Sequence, residues 1–150
     1  MANRSGRPES PTFFAKGTIS SANITGTAAG QLGHSEGFEM VPSYGADKVV
    51  ELVSCVLVMD FDTAAYTAGG NTGVKLSGGG AALTGVAANT DFIQASADKV
   101  IQLVPLAATF LTPVVDKGLN LVSASAPTNP GTAAGVIHYK VTYKVHPTNL

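Results

Sequence analysis

Residues 135–146 read as a strand, and from Ile137 onward apolar and polar side chains alternate without a break. Ile137, Tyr139, Val141, Tyr143 and Val145 fall on one side, and His138, Lys140, Thr142 and Lys144 on the other. A period of two marks a strand with one face on a core and one in water. A lone strand leaves its backbone groups unpaired, so the chain must supply partners. It does so in short β-type segments separated by turn signals. Residues 12–16 and 18–25 are rich in Thr, Phe and Ile. Residues 38–41 stop at Pro42, and 99–104 stop at Pro105. Residues 73–77 and 118–124 alternate through Val74 and Leu76 and through Leu119 and Leu121. Residues 48–61 are apolar on both parities, which predicts a central strand covered on both sides. Small-residue loops lie at 26–37, 63–72 and 126–135, and a triple glycine at 78–80. One helix is expected, over 89–98, with Asn89 or Thr90 as its cap and Asp91 in its first turn.

These segments predict an all-β chain, an antiparallel β-sandwich with at most one short helix. About eight strands in two sheets is the jelly-roll pattern. An immunoglobulin-like sandwich ranks second, because the buried Trp and the cysteine pair of the antibody type are missing. Residues 1–11, MANRSGRPESP, hold almost nothing to bury. They read as an extended N-terminal arm ahead of a single sandwich domain over 12–150. Such an arm is ordered only where something ties it down: a neighbouring subunit, a partner protein or its own domain.

Charged residues make up 13% of the chain, about half of the ~25% usual for soluble domains, and the formal net charge is −1. Nucleic-acid binding calls for a basic surplus and a stripe of Lys and Arg among aromatics, and neither is present. Arg4 and Arg7 are not followed by an apolar segment, so they do not open a secretory signal. Residues 52–59 are too short to span a bilayer, and Gln102, Pro105 and Pro113 interrupt 100–115. The expectation is a protein made in a cytoplasm, with neither membrane nor nucleic acid as partner. Interfaces are poor in Lys, Glu and Asp, so a surface this low in charge points to cover within an assembly. The edges of a sandwich offer the means, as a dimer or trimer.

The sequence carries no catalytic signature such as GxSxG or a P-loop. His34 stands near Glu36 and Glu39, a set that can hold zinc or iron. The cupin jelly roll binds metal with two histidines one residue apart, and here Leu32 and Glu36 occupy those flanking positions. His138 and His146 lie far along the chain. Asp60 and Asp62 lack the further oxygen ligands of a calcium loop and read as turn starters. Cys55 has Val and Leu around it and reads as an inert core thiol. The chain is therefore expected to be no enzyme and to need no cofactor or metal.

Residues 45–146 follow a particular order. A long strand leads into DFDTAAYTAGGNTGVKL, a glycine turn, a Thr-Asp-Phe segment with Gln-Ala-Ser-Ala-Asp, and a strand ending in Pro. Gly-Leu-Asn-Leu, a Pro/Gly loop and a Lys-Val-Thr-Tyr-Lys-Val strand close it. This order resembles the jelly-roll cement, or decoration, proteins of tailed bacteriophages. The resemblance implies a structural virion protein on the outer surface of an icosahedral head. It would bind the major capsid protein, bridge capsomers and resist internal DNA pressure. Its partner contacts would lie in the arm and first strand, at Arg4, Arg7, Pro8, Phe13 and Phe14. Phe13 and Phe14 are adjacent, so in a strand one turns to the core and the other to a partner. The alternative is a receptor- or glycan-binding sandwich of a virion fibre or surface structure, using Tyr44, Tyr66 and Asn71.

Overall fold

The computed structural model describes residues 10–106, 114–129, 131 and 134–148. Within them run β1 (Thr12–Ile19), α1 (Ser21–Thr25), β2 (Phe38–Val41), β3 (Lys48–Asp60), β4 (Thr67–Ala68) and β5 (Thr72–Leu76). A 3-10 turn at Asn89–Asp91 precedes β6 (Lys99–Leu103), β7 (Leu119–Ser123), β8 (Pro127–Thr128) and β9 (Val136–Pro147). β1, β9, β3 and β6 form a four-stranded sheet in that order, β2, β7 and β5 a three-stranded one, and β4 and β8 a small ladder. The pairings are antiparallel.

Residues 81–87 run beside β5 as an irregular strand. Leu76 N–H donates to Ala81 O, Leu83 N–H to Val74 O, and Thr72 and Ala87 exchange both backbone bonds. With this segment counted, the pairs nest: β1 with β9, β2 with β7, β3 with β6, and β5 with 81–87. One long ribbon of nested pairs has wrapped so that β9 also meets β3 and β7 also meets β5. That is a jelly roll, as the segment pattern predicts.

The two sheets enclose one apolar cluster. Ile19, Leu52, Cys55, Leu57, Met59, Ile137 and Val141 enter it from the four-stranded sheet, and Val41, Val74, Leu119 and Leu121 from the other. Ile24, Leu32, Phe92 and Ile93 plug its ends from α1 and the loops.

Three local expectations give way. β3 is central in its sheet, but its second face is open among the described residues: Val53 and Val100 are exposed. Part of its double-sided apolarity comes from a bulge between Leu52 and Ser54, and the rest from Val56 and Val58 on the outer face. Val50 and Leu52 point inward before the bulge, and Cys55, Leu57 and Met59 after it, so the inward parity changes within one strand. Residues 18–25 do not continue as strand. Ser20 Oγ accepts from Asn23 N–H and caps α1, which buries Ile24. Residues 89–98 make only a 3-10 turn rather than a helix. Asn89 spends its side chain on Ala68 O and Gly69 O, while its N–H bonds Asn71 Oδ1. The loop at 26–37 is irregular, as expected, and packs on β7. Asn120 Nδ2 donates to Glu36 O, Ser123 N–H donates to Leu32 O, and all of β7 is buried. Gly37, at φ +75°, lies so close to Leu121 O and Val122 that a Cβ would collide with both.

Candidate functional site

The registers lay out the outer face of the four-stranded sheet row by row. Thr12, Lys144 and Glu51 form one row, and Phe14, Thr142 and Ser54 the next. Lys16, Lys140, Val56 and Gln102 form a third, and Thr18, His138, Val58 and Val100 a fourth. The β1–β9 half is thus cationic and hydroxylated, and the β3–β6 half aliphatic. Val100 is 71% exposed, Phe14 64% and Val104 54%, with Val56 and Val58 half-buried between. Scattered exposed valines need no explanation, but a group of them on one flat face marks an interaction surface.

Two of the cations on this face, Lys16 and Lys140, have no carboxylate opposite them in the ladder, whereas Lys144 stands opposite Glu51. Lys16 stands directly opposite Lys140, a like-charge pairing that costs energy in a ladder. The ion pairs among the described residues are His138–Asp60 at 3.3 Å and His146–Glu51 at 2.5 Å, so Lys16, Lys140 and Lys144 form no ion pair there. Lys140 Nζ instead lies 5.3 Å from the centre of the Phe14 ring.

Each histidine also takes a hydroxyl on its other nitrogen. Ser10 Oγ is 2.9 Å from His146 Nδ1, and Thr18 Oγ1 is 2.8 Å from His138 Nδ1. Two hydroxyl–imidazole–carboxylate rows therefore cross from the β1 side through β9 to β3, one near each end of the sheet. The same constituents make a hydrolytic triad. Here they lie across an open sheet face, with the carboxylates exposed, and their evident work is to tie the edge strand down. The sequence gives no hint of them, because they depend on register between distant segments.

Of the expected contact residues, Phe13 and Phe14 do take opposite faces. Phe13 turns inward to the rim and stacks on Tyr143, with ring centres 5.8 Å apart. Phe14 points outward. Arg4, Arg7 and Pro8 lie outside the described residues. Ser10, late in the arm, is held against the chain's own β9 through His146.

The alternative set does not assemble. Tyr66 is buried, and its hydroxyl donates to Gly135 O at 2.6 Å, so it has no place on a ligand surface. Tyr44 is half-exposed and shares a hydrogen bond with Tyr143, hydroxyl to hydroxyl at 2.7 Å. Asn71 borders a shallow groove of about 280 Å³ on the outside of the three-stranded sheet, with Lys75, Thr84, Val86 and Val122.

The groups considered for chemistry are dispersed. His34 Nδ1 accepts from Glu36 N–H within its own loop, while Asp60 belongs to the His138 row. Among the described residues no three of His, Cys, Asp and Glu gather as metal ligands would. Cys55 is fully buried, and burial pushes its thiol up to about 12. No described helix is long and apolar enough to cross a membrane. No family model matches the chain, and no curated protein or solved structure shows a significant match to it.

Proposed function

We propose that this protein is a structural virion protein that docks on the outside of an icosahedral phage head and stabilises the lattice of its major capsid protein. The observation that carries the reading is the open outer face of the β1–β9–β3–β6 sheet. Its half-buried and exposed valines lie beside Lys16 and Lys140, which have no ion-pair partner among the described residues. The resemblance of residues 45–146 to jelly-roll cement proteins supplies the identity of the partner. A preorganised sheet loses little conformational freedom on docking. Many copies on one lattice also gain through multivalency, even when each contact is weak. Arg4, Arg7 and Pro8 in the arm, with Phe14 on the face, are assigned as shell contacts, and Phe13 as support at the rim.

The test is co-sedimentation with expanded, undecorated phage heads. Saturable binding in a fixed ratio to the shell protein, with added resistance of the heads to heat, is expected. Deleting residues 2–9 should weaken that binding while leaving the melting curve of the free protein in place. Absence of binding to any such head overturns the proposal.

A second reading, receptor or glycan binding, draws on the groove beside Asn71. Its lining offers hydroxyl, amide and ammonium groups but no aromatic platform. A glycan array separates the two readings, since shell docking predicts no hits.

A further inference from the structure

We propose that the free edge of β1 pairs with the β1 edge of a second copy, in one register, and makes the protein a symmetric dimer. β1 spans eight residues at the end of its sheet, and among the described residues only its β9 side is hydrogen-bonded. Neither proline nor a bulge interrupts it. A long edge of this kind, with Lys16 its one charged residue, is a template for pairing with another strand.

The side chains of β1 select the partner and the register. Antiparallel pairing of two copies places a twofold axis perpendicular to the sheet, so each face meets its own kind. Only registers that keep Phe14 and Lys16 on the outer side of both copies are allowed. Setting Lys16 opposite Lys16 of the second copy repeats the like-charge pairing already present with Lys140. Setting Phe14 opposite Phe14 brings Pro11 opposite Gly17 and shortens the ladder at both ends. The register between them sets Ala15 opposite Ala15 and pairs residues 12 to 18 throughout. Phe14 then faces Lys16 of the second copy, twice by symmetry.

Both of those groups are prepared for this contact. Lys140 stands opposite Lys16 on its β9 side, and repulsion drives the Lys16 ammonium toward the free edge. Phe14 receives Lys140 from its own chain and has the rest of its exposed ring to offer. On the inner side Phe13 falls opposite Gly17. At Gly17 a Cβ would come within 2.7 Å of the Tyr139 hydroxyl, so the Tyr139 ring already covers this position and is what Phe13 of the second copy would meet. Two four-stranded sheets become one of eight, with both outer faces on the same side. The dimer needs no shell and stands or falls independently of the capsid reading.

Sedimentation equilibrium of the full-length protein is the first test, and a concentration-dependent dimer is expected. Phe14→Lys sets lysine opposite Lys16 at two symmetric places, and should weaken association at least about tenfold. Phe14→Lys with Lys16→Glu converts both places to opposite-charge pairs and should restore it. Cysteine trapping checks the register without relying on those variants. Ala15→Cys should oxidise to a covalent dimer, since opposed Cβ atoms in a ladder lie about 4.5–5.5 Å apart, whereas Phe14→Cys and Lys16→Cys should not. A wild-type protein that stays monomeric, or trapping at position 14 or 16 in place of 15, overturns the proposal.

Discussion

Cys55, Tyr66 and Tyr143 each hold a proton that the core does not release easily. Burial pushes the Cys55 thiol and the Tyr66 hydroxyl up to about 12, and a hydrogen bond with Ser21 partly offsets the rise at Tyr66. Tyr143 reaches about 12 through burial first and then through its bond with, and charge on, Tyr44. In the unfolded chain the thiol titrates near 9 and the phenols near 10. All three folded values are raised, so the protonated forms support the fold fully below pH 9. Above that the unfolded chain sheds protons which the folded chain retains, and stability falls as pH climbs toward about 12. The melting temperature should be insensitive to these groups at pH 8 and decline progressively from pH 9 upward. Cys55→Ala should remove the earliest part of that decline, at a cost in packing. The same burial predicts that a thiol reagent labels Cys55 only in denaturant. A native protein that reacts at once at pH 8, or a melting temperature level to pH 11, contradicts this account.

At the level of elements, β3 turns on one residue. The bulge between Leu52 and Ser54 lets Val50 and Leu52 share the core with Cys55, Leu57 and Met59. Deleting Val53 removes the extra residue and forces one half of the strand to present its other face. If the first half turns over, Val50 and Leu52 leave the core, each at about 1.5–3 kcal/mol. That is comparable with a whole domain's margin of about 5–15 kcal/mol. The deletion should abolish cooperative melting, whereas Val53→Ala, which keeps the bulge, should cost less than about 1 kcal/mol. A deletion variant with a sharp transition near that of the parent would show that the register is not fixed there. The bulge also marks where the sequence stops being legible. β2 and the alternation of β9 can be read directly, because each segment is bounded by turn residues or shows its period throughout. A parity change inside an apolar run looks like two apolar faces. The expected helix at 89–98 fails for another reason. Asn89 is a good local cap, but its side chain is used by backbone oxygens at Ala68 and Gly69, which no local pattern discloses. For the candidate surface, the opposite facing of Phe13 and Phe14 follows from parity alone. The opposition of Lys16 to Lys140 and the two histidine rows require the β1–β9 and β3–β9 registers.

At the scale of the whole molecule, the edge and the face of the four-stranded sheet are separate surfaces, and their roles can be separated by experiment. The dimer seam uses β1. The aliphatic half of the outer face lies on β3 and β6, two strands away from that seam. Val100 is its most exposed member, so replacing it disturbs little within the fold. Val100→Glu should lower stability by less than about 1 kcal/mol, the range of strand preference at an exposed site. It should leave the sedimentation behaviour of the free protein unchanged. On the shell its effect should be larger than one lost contact suggests. Antiparallel pairing through β1 turns both outer faces to the same side, so the proposed dimer would meet the proposed lattice bivalently and each weakened face would enter the binding constant twice. Phe14→Lys, which breaks the seam and removes one assigned shell contact, should instead leave monomers whose valine faces are intact but bind singly. Measured by co-sedimentation, both variants should lose occupancy, and a forced dimer, made by Ala15→Cys oxidation in the Phe14→Lys background, should recover the share due to pairing but not the share due to the Phe14 shell contact. Equal recovery when that covalent dimer also carries Val100→Glu would show that the aliphatic face does not touch the shell. Unchanged binding by the Phe14→Lys monomer would show that each sandwich docks alone, and that pairing adds nothing to its hold on the lattice.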